Sequence, residues 1–359
     1  MIIANHLKTR IRRNLLTWYH ANKRMMPWRG TDDPYKIWIS EVMLQQTQVA
    51  TAIDYYQHFV HVFPTVQHLA AATPDSVMKV WENLGYYGRA RNLHQAARDI
   101  INHFNGQIPD QIEELLSLPG IGLYTAGAIL SIGFGKRVPV LDGNVIRVLT
   151  RLFHITDNTG QAAVRNELLK LAESLLPVKN VRHFNEAMME LGAVLCKPRK
   201  PICAKCPFTR FCEANRLSIQ EELPVKAPRK PVPHYHVVAG VIWNKNQFLI
   251  TRRKPKGLLG GLWEFPGGKV KEGETYESAL TREILEELAI KVKIIKPMIS
   301  IPHAYTHFKI TLHLYECQFV RGKIQLNQAT AFRWIKHSDL NRFAFPAANR
   351  KAMKMLYVK

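Results

Sequence analysis

Four of the five cysteines lie together within residues 196–212, spaced C-x6-C-x2-C-x5-C, and this cluster constrains the fold more than any other feature of the chain. Four thiols at such short separations suit a four-ligand metal centre better than a disulfide framework, because nothing else in the sequence indicates secretion. Structural zinc and an iron–sulfur cluster can each take four thiolates. The spacing leaves both open and predicts that the segment closes around one of them, with the ligands Cys196, Cys203, Cys206 and Cys212.

Positive charge surrounds these cysteines. From Lys197 to Lys230 there are nine Lys or Arg residues against three Asp or Glu residues, and the whole chain carries a formal net charge of +22. Such a loop can bind the phosphates of a nucleic acid, although a solvated basic loop without a partner has the same composition. The charge balance therefore favours a polyanionic partner.

The periodicity of the chain changes once, near residue 217. Residues 5–216 carry apolar side chains at helical spacing, separated by helix-breaking prolines. The next stretch is rich in proline and in cations, as is typical of an exposed, semi-rigid linker. Beyond it the residues alternate as strands do, with one strong helix from roughly Thr275 to Leu288. We predict an all-helical domain over residues 1–216, a linker over 217–234 and an α+β domain over 235–359.

Signals for a membrane or for secretion are not found in the sequence. No apolar run approaches the roughly 18 residues that a membrane span requires. The basic, amphipathic N-terminus lacks the apolar stretch and the cleavage site of a signal peptide. A thiolate site suits a reducing compartment, so we expect a monomeric cytoplasmic protein with no membrane partner. The remaining cysteine, Cys317, lies in a strand pattern and is expected to be an unreactive core thiol.

Residues 116–130 predict two helices joined by a tight glycine turn. Gly120 and Gly122 are expected to adopt backbone angles that other residues avoid, and the helix that follows offers backbone amides at its start. Such a turn can hold a DNA phosphate without reading the base sequence. An ordinary helical hairpin explains the same pattern equally well.

Two acidic residues call for an explanation. Asp142 directly precedes an apolar-periodic helix, where capping the helix is its ordinary role. Glu41 lies in a helix whose neighbouring residues include Trp38, Ile39 and Val42. Burial of a carboxylate among such side chains is costly unless its pKa rises or its burial is incomplete. A simple solvated position on the helix is the alternative for Glu41.

The order of motifs along the chain is PWR, SEVMLQQTQV, GLGYYGRARNL, LPGIGLYTAGAI, VLDGNVIRV and FNEAMMELGA, followed by the four cysteines. This order resembles the helix-hairpin-helix DNA glycosylases of the endonuclease III superfamily, and most closely the MutY adenine glycosylase family. The resemblance covers nearly the whole chain, because that family also carries a MutT-like domain after a linker. It implies a six-helix barrel glycosylase domain and one 4Fe–4S cluster rather than zinc at the cysteines.

The resemblance also implies roles for individual residues. Glu41 matches the acid that protonates adenine and assists water, and Asp142 matches the carboxylate that stabilises the oxocarbenium ion. Asn144 and Tyr124 match groups that organise the two acids. Tyr124 stands where bifunctional relatives carry a lysine, so the Schiff-base nucleophile is missing and a monofunctional glycosylase follows.

Further matches concern the bases of the duplex. Arg29 and Glu186 match residues of the adenine pocket. Gln46 and Tyr86 match residues that fill the DNA helix around 8-oxoguanine, and AYTHF resembles the loop that contacts this base. That loop carries Tyr305, Thr306 and His307.

Residues Gly268 to Ile290 resemble a Nudix box, with alanine in place of glycine at Ala289. The three acids of its helix suit Mg²⁺ bound to a pyrophosphate, although a charged helix preserved from an enzymatic ancestor has the same sequence. These acids are Glu283, Glu286 and Glu287.

Together these features predict an adenine glycosylase that removes adenine mispaired with 8-oxoguanine or guanine in duplex DNA, in base excision repair. The alternatives are a nucleotide pyrophosphohydrolase acting on oxidised nucleotides and a DNA-binding scaffold with a structural metal. We also expect that repair or replication proteins can bind at the linker.

Overall fold

The computed structural model describes residues 3–227 and 231–353, which form two compact units. The first unit comprises residues 3–71 and 92–227, and the second comprises residues 72–91 and 231–353. Residues 72–91 therefore pack with the C-terminal part of the chain, an association that the hydrophobic pattern does not indicate. Part of the predicted linker, residues 228–230, lies outside the described residues.

Helices build the N-terminal part of the chain, as the periodicity predicts. A π-helical turn, Ile129–Gly133, continues the eighth helix, and two 3₁₀ turns, Cys203–Lys205 and Thr209–Phe211, lie in the cysteine segment. The boundary between the two units falls within the sixth helix. The helices in chain order are α1 (Asn5–Asn22), α2 (Pro34–Leu44), α3 (Val49–Val62), α4 (Val66–Ala71), α5 (Pro74–Val80), α6 (Gly88–His103), α7 (Ile112–Ser117), α8 (Leu123–Ala128), α9 (Gly143–Leu152), α10 (Ala162–Leu175), α11 (Val181–Val194) and α12 (Glu213–Leu217).

The main core of the first unit lies between α1, α9, α10 and α11. Buried side chains from all four helices meet there, including Leu15, Leu149, Leu168 and Leu191. Removing apolar area of this kind from water is the dominant stabilising contribution to a fold. Three of the clustered cysteines pack against the same core, so the cysteine segment is anchored to it.

The α7–α8 hairpin confirms one of the two glycine expectations. Gly120 has φ +80, and a Cβ atom there would lie 2.8 Å from Cβ of Asn92, so glycine is required. Gly122 precedes α8 at φ −103, which any residue adopts, and no atom lies within 4 Å of the place where its Cβ would be. The expectation of a special backbone angle at Gly122 is wrong.

A mixed sheet forms the centre of the second unit. Its strands are β1 (His234–Asn244), β2 (Gln247–Arg253), β3 (Trp263–Glu264), β4 (Gly267–Lys269), β5 (Lys291–Ala304), β6 (Lys309–Arg321) and β7 (Ala329–Ile335). The order along the sheet is β3-β2-β1-β6-β5, with β4 also paired to β1 and β7 to β2. Among the strand pairs of the described residues, only β1–β6 is parallel, with Val238 opposite His313.

Both faces of this sheet are covered, because successive residues of a strand point to opposite sides. Val238 and Ile242 of β1 pack with α13 (Tyr276–Leu288), and Ala239 and Val241 pack with α14 (Ala347–Met353). The helix predicted from Thr275 to Leu288 is confirmed, with Thr275 as its N-cap. Cys317 is fully buried on the α13 side, as expected of a core thiol.

Every helix within residues 3–227 and 231–353 is too short or too polar to cross a membrane.

Candidate active site

Glu41 is buried inside the first unit. Asp33 caps α2 by accepting a hydrogen bond from the amide of Tyr35 (3.0 Å), and the helix is then buried on most of its surface. Glu41 is 5% exposed, so a simple solvated position is excluded. Burial raises the pKa of Glu41 to about 7, a hydrogen bond from Tyr124 opposes this rise, and the nearby acids Asp142 and Glu186 add to it.

Tyr124 holds the Glu41 carboxyl in place. Its hydroxyl donates a short hydrogen bond to Oε2 of Glu41 and lies 3.8 Å from Sδ of Met189. Burial, followed by the charges of Glu41 and Asp142, raises the pKa of Tyr124 well above its usual value. The phenol therefore stays protonated at neutral pH and acts as a donor.

Asp142 caps α9, which confirms the ordinary role expected of it, and it also lines the same cavity as Glu41. Its Oδ1 accepts from the amide of Val145 (2.7 Å), and its Oδ2 accepts from Nδ2 of Asn144 (2.7 Å). Burial raises the pKa of Asp142, and these hydrogen bonds oppose the rise. The two carboxyls thus differ in their partners: Glu41 accepts from a phenol, and Asp142 accepts from a backbone amide and a side-chain amide.

A chain of hydrogen bonds continues from Asp142 to the cysteine segment. Oδ1 of Asn144 accepts from Arg147 (2.8 Å), and Arg147 donates to the carbonyls of Gly192 (2.7 Å) and Cys196 (2.6 Å). Arg147 is only 9% exposed, so this buried guanidinium links the N-terminus of α9 to the start of the cysteine segment.

The cavity around Glu41 and Asp142 is lined by both polar and apolar residues. All of the catalytic and adenine-pocket residues predicted from the sequence line it. Glu186 accepts from the hydroxyl of Tyr19 (2.8 Å). Other lining residues are Arg24, Met26, Trp28, Arg29, Ile37, Ser40, Leu44, Thr47, Val49, Tyr124, Ile132, Asn144, Met189, Glu190 and Ala193.

Glu190 is a site residue that sequence reasoning missed. It is 2% exposed and accepts from Nε of Arg24 (2.6 Å) and from Arg29 (3.1 Å). Burial alone would raise the pKa of Glu190, yet the hydrogen bonds from the two arginines bring it below its usual value. Glu190 lies four residues after Glu186 on α11, and this helical spacing is the signal that could have found it.

The predicted DNA-contacting residues lie outside this cavity. Gln46 follows α2 with φ +58 and is exposed, and Gly120 and Gly122 lie in the α7–α8 turn. Tyr86, with φ +48, belongs to the second unit. These four residues are thus not among those that line the cavity of Glu41 and Asp142.

The four clustered cysteines line one small cavity in the first unit. Arg151, itself 2% exposed, donates to Sγ of Cys196 (3.3 Å) and to the carbonyls of Lys197 (2.7 Å) and Pro198 (2.9 Å). Burial raises the pKa of the Cys206 thiol to about 12, and a backbone hydrogen bond from Phe208 opposes this. Within the described ranges, no group of three or more His, Cys, Asp or Glu side chains is arranged to hold a metal ion.

In the second unit, Arg282 ties together the acids of the Nudix-like segment. It donates to Glu274 (2.6 and 2.8 Å), Glu283 (2.8 Å) and Glu286 (3.1 Å). Glu287 is separate from this network, and burial together with the charges of Glu264 and Glu283 raises its pKa to about 8. A Cβ atom on Gly268 would lie 2.3 Å from the Glu283 carboxyl, so any other residue at the first position of the box would require this carboxyl to move.

The three residues expected to read 8-oxoguanine lie in the turn between β5 and β6. The Tyr305 ring is partly buried and stacks on Phe308, with ring centres 4.7 Å apart. Thr306 and His307 are exposed. Two of the three side chains are thus available on the surface, and the tyrosine supports the turn from inside.

Comparisons with known proteins agree with this architecture. Residues 39–174 match the model of the HhH-GPD superfamily of base excision DNA repair proteins, and residues 238–355 match the NUDIX domain. The adenine DNA glycosylase of Rattus norvegicus is 33% identical over 97% of this chain and 78% of its own length. The adenine DNA glycosylase of Buchnera aphidicola from Acyrthosiphon pisum is 36% identical over 82% of each chain.

A solved structure of a thermostable thymine-DNA glycosylase aligns with a TM-score of 0.55 and 31% identity, covering 59% of this chain and 98% of that one. Endonuclease III in a non-covalent complex with DNA aligns with a TM-score of 0.51 at 23% identity, covering 61% of this chain and 100% of that one, which shows a common fold. The fold and the acid-lined cavity define a helix-hairpin-helix DNA glycosylase with an added Nudix domain. Within that class, the chain belongs to the adenine DNA glycosylase family, whose members hydrolyse N-glycosyl bonds.

Proposed function

We propose that this enzyme removes adenine from duplex DNA where the adenine is paired with 8-oxoguanine or guanine. The observation that carries this proposal is the pair of carboxyls in one cavity, of which Glu41 is buried with its pKa raised to about 7. An acid of that pKa holds a proton near neutral pH and can transfer it to a leaving base.

Adenine leaves a sugar slowly unless its ring is first protonated. Glu41 supplies that proton, with Tyr124 fixing the orientation of the carboxyl. As the N-glycosidic bond breaks, the electron pair stays on the base and positive charge develops on the sugar. Asp142, held by Val145 and Asn144, stabilises this cation when ionised, and the deprotonated Glu41 then assists a water molecule.

The target nucleotide must leave the base stack to reach these acids, because they line a cavity inside the protein. Arg29 and Glu186 line that cavity and provide polar partners for the edge of the base. Among the residues that the structure describes, those lining the cavity include no lysine, so a Schiff base that would cut the strand has no amine from them. We therefore infer a monofunctional glycosylase.

The four cysteines are proposed to hold one 4Fe–4S cluster. Their shared cavity, the guanidinium of Arg151 beside Cys196 and the backbone hydrogen bond to Cys206 fit the surroundings of cluster sulfurs. The match to the helix-hairpin-helix repair glycosylases supports a cluster rather than zinc at these four thiolates. The cluster supplies structure, because the hydrolysis needs no electron transfer.

Recognition of the opposite base is assigned to Thr306 and His307 of the exposed turn, with Gln46 and Tyr86 filling the DNA helix. Tyr305 is proposed to contribute by shaping the turn, since its ring stacks on Phe308. The exposed loop cations near Cys196 are proposed to bind DNA phosphates.

Hydrolysis of nucleoside triphosphates by the Nudix domain is proposed to be weak or absent. Arg282 already neutralises Glu283 and Glu286, so Mg²⁺ must displace it before these acids can act as ligands. An assay of 8-oxo-dGTP with Mg²⁺, comparing the wild type with Glu286→Gln and Glu287→Gln, tests this. Robust turnover that both variants lose would establish a second activity.

The principal test uses labelled duplexes with adenine opposite 8-oxoguanine, guanine or thymine, under single-turnover conditions. Hot alkali should cleave the adenine strand in the first two duplexes, and cleavage before alkali should be negligible. Asp142→Asn should lose excision by about 10²-fold or more while still binding the duplex. Strand cleavage without alkali, or full activity in Asp142→Asn, would contradict the proposal.

A further inference from the structure

Residues 72–91 lie inside the span that matches the glycosylase model, yet they pack in the second unit with the C-terminal residues. This segment contains Tyr86, one of the residues proposed to fill the DNA helix. The Tyr86 hydroxyl donates to Oγ1 of Thr306 at 2.5 Å, so a helix-filling residue and a base-reading residue meet directly within one unit.

A buried carboxylate four residues earlier fastens this segment. Glu82 is 7% exposed, and its Oε2 lies 2.7 Å from Nζ of Lys79 and 2.8 Å from a guanidinium nitrogen of Arg350. Its Oε1 accepts from the amide of Phe345 at 3.0 Å. Lys79 also donates to the carbonyl of Phe343 (3.3 Å). Glu82 and Lys79 together therefore bind Phe343 and Phe345, which precede α14, and Arg350, which lies in it.

The short loop after Glu82 is held in a single shape. Trp81, fully buried, donates from Nε1 to the carbonyl of Gly85 (3.0 Å). The Arg89 guanidinium lies over the rings of Trp81 (5.2 Å) and Tyr86 (5.5 Å). Tyr86 itself has φ +48, a left-handed conformation that a tyrosine keeps only when its surroundings impose it.

We propose that Glu82 is a positioning residue for recognition of the base opposite adenine. Through Arg350, Lys79 and the Phe345 amide it fixes the segment that places Tyr86 against Thr306. This inference rests on the proposed function, because it assigns Tyr86 and Thr306 to the opposite base. It predicts that Glu82 affects discrimination between 8-oxoguanine and guanine far more than it affects the hydrolysis itself, because Glu41 and Asp142 belong to the first unit.

The main variant is Glu82→Gln, which keeps the shape and can still accept from Phe345 but loses the charge that pairs with two cations. The matched control is Glu272→Gln, the same change at an exposed acid of the second unit. Arg350→Gln and the double variant Glu82→Gln/Arg350→Gln test whether the two residues act together. Full-length proteins are used throughout.

Two measurements separate the inference from the proposed function. The first is the ratio of single-turnover rates on adenine opposite 8-oxoguanine and opposite guanine. We expect Glu82→Gln to lower this ratio about tenfold, since small displacements of a positioning group cost one to two orders of magnitude, with the rate opposite guanine nearly unchanged. Arg350→Gln should do the same, the double variant should be no worse than either, and Glu272→Gln should match the wild type.

The second measurement is amide hydrogen exchange over residues 81–91, which needs no substrate. Faster exchange in Glu82→Gln than in Glu272→Gln supports the positioning role, whatever the wild-type preference. Exchange equal to that of the control, or equal losses of both excision rates with an unchanged ratio, would overturn the inference. Absence of any adenine excision by the wild type would instead overturn the proposed function.

Discussion

Replacement of Glu41 by glutamine should slow adenine excision severely and at the same time stabilise the protein above neutral pH. Glutamine has the same shape and can still accept the hydrogen bond from Tyr124. Glutamine has no negative charge, so its burial does not cost the energy of burying an ion. It is also no acid, so it cannot donate a proton to the leaving base. Loss of general acid catalysis alone should slow excision by about 10²–10⁴-fold.

The expected gain in stability follows from the raised pKa of Glu41. The carboxyl moves from an ordinary 4.5 to about 7 in the folded chain. Each pKa unit corresponds to about 1.4 kcal/mol, so ionised Glu41 costs the folded state about 3 kcal/mol at pH 8 and less than about 1 kcal/mol at pH 5. The sign is set by proton binding: between pH 4.5 and 7 the folded state binds more protons than the unfolded state, so the wild type loses stability as pH rises.

Urea unfolding of the wild type and Glu41→Gln, followed by far-UV circular dichroism at pH 5 and pH 8, measures this difference. The midpoint of the variant should exceed that of the wild type at pH 8, and the two should approach each other at pH 5. Glu113→Gln, an exposed acid on α7, serves as the control with no pH-dependent gain. A variant that is less stable than the wild type at pH 8, or equally shifted at both pH values, would refute the reasoning from burial.

Three further predictions concern other parts of the molecule. Ala289→Gly should stabilise the protein by roughly 1 kcal/mol, because Ala289 ends α13 at φ +56, where alanine is strained; a lower urea midpoint would contradict this. Arg151→Lys should reduce the iron content of anaerobically purified protein, since one lysine cannot replace the donations to Cys196 Sγ and the loop carbonyls; metal analysis that finds unchanged iron would argue against that anchor. Three exposed cations of the cysteine loop should be replaced by alanine, namely Lys197, Arg199 and Lys200. The slope of the logarithm of the DNA-binding constant against the logarithm of salt concentration should then fall by about one per lost phosphate contact. An unchanged slope would show that the loop does not contact DNA.

The sequence predicts the parts of this molecule that depend on local pattern. Helical spacing before residue 217 and strand alternation after it are both confirmed, and the helix over residues 276–288 begins after its predicted cap. The apolar residues Trp38, Ile39 and Val42 near Glu41 in α2 indicate that this acid can be buried, and it is. These features can be predicted locally, because the spacing of apolar residues within a helix or a strand indicates which of its faces is buried.

Contacts between residues that lie far apart in the sequence cannot be predicted from the local spacing of apolar residues. Helical spacing could indicate Glu190 itself, but not its partners, because Arg24 and Arg29 lie far from it in the chain and reach its carboxyl only in the folded structure. Residues 72–91 pack with the C-terminal residues, and Glu82 pairs with Arg350 there, although nothing in the sequence around either residue indicates the other. At Gly122 the pattern misled, since a glycine-rich turn needs a special backbone angle at only one of the two positions.

The pH dependence of adenine excision tests the central claim, that Glu41 gives its proton to the leaving base. Single-turnover rates should be measured from pH 5 to pH 9 on duplex with adenine opposite 8-oxoguanine, with duplex binding confirmed at each pH. Because the pKa of Glu41 is about 7, the rate should fall about tenfold per pH unit well above that value, as the carboxyl loses its proton. A rate that stays constant or rises between pH 7 and pH 9 would contradict the account.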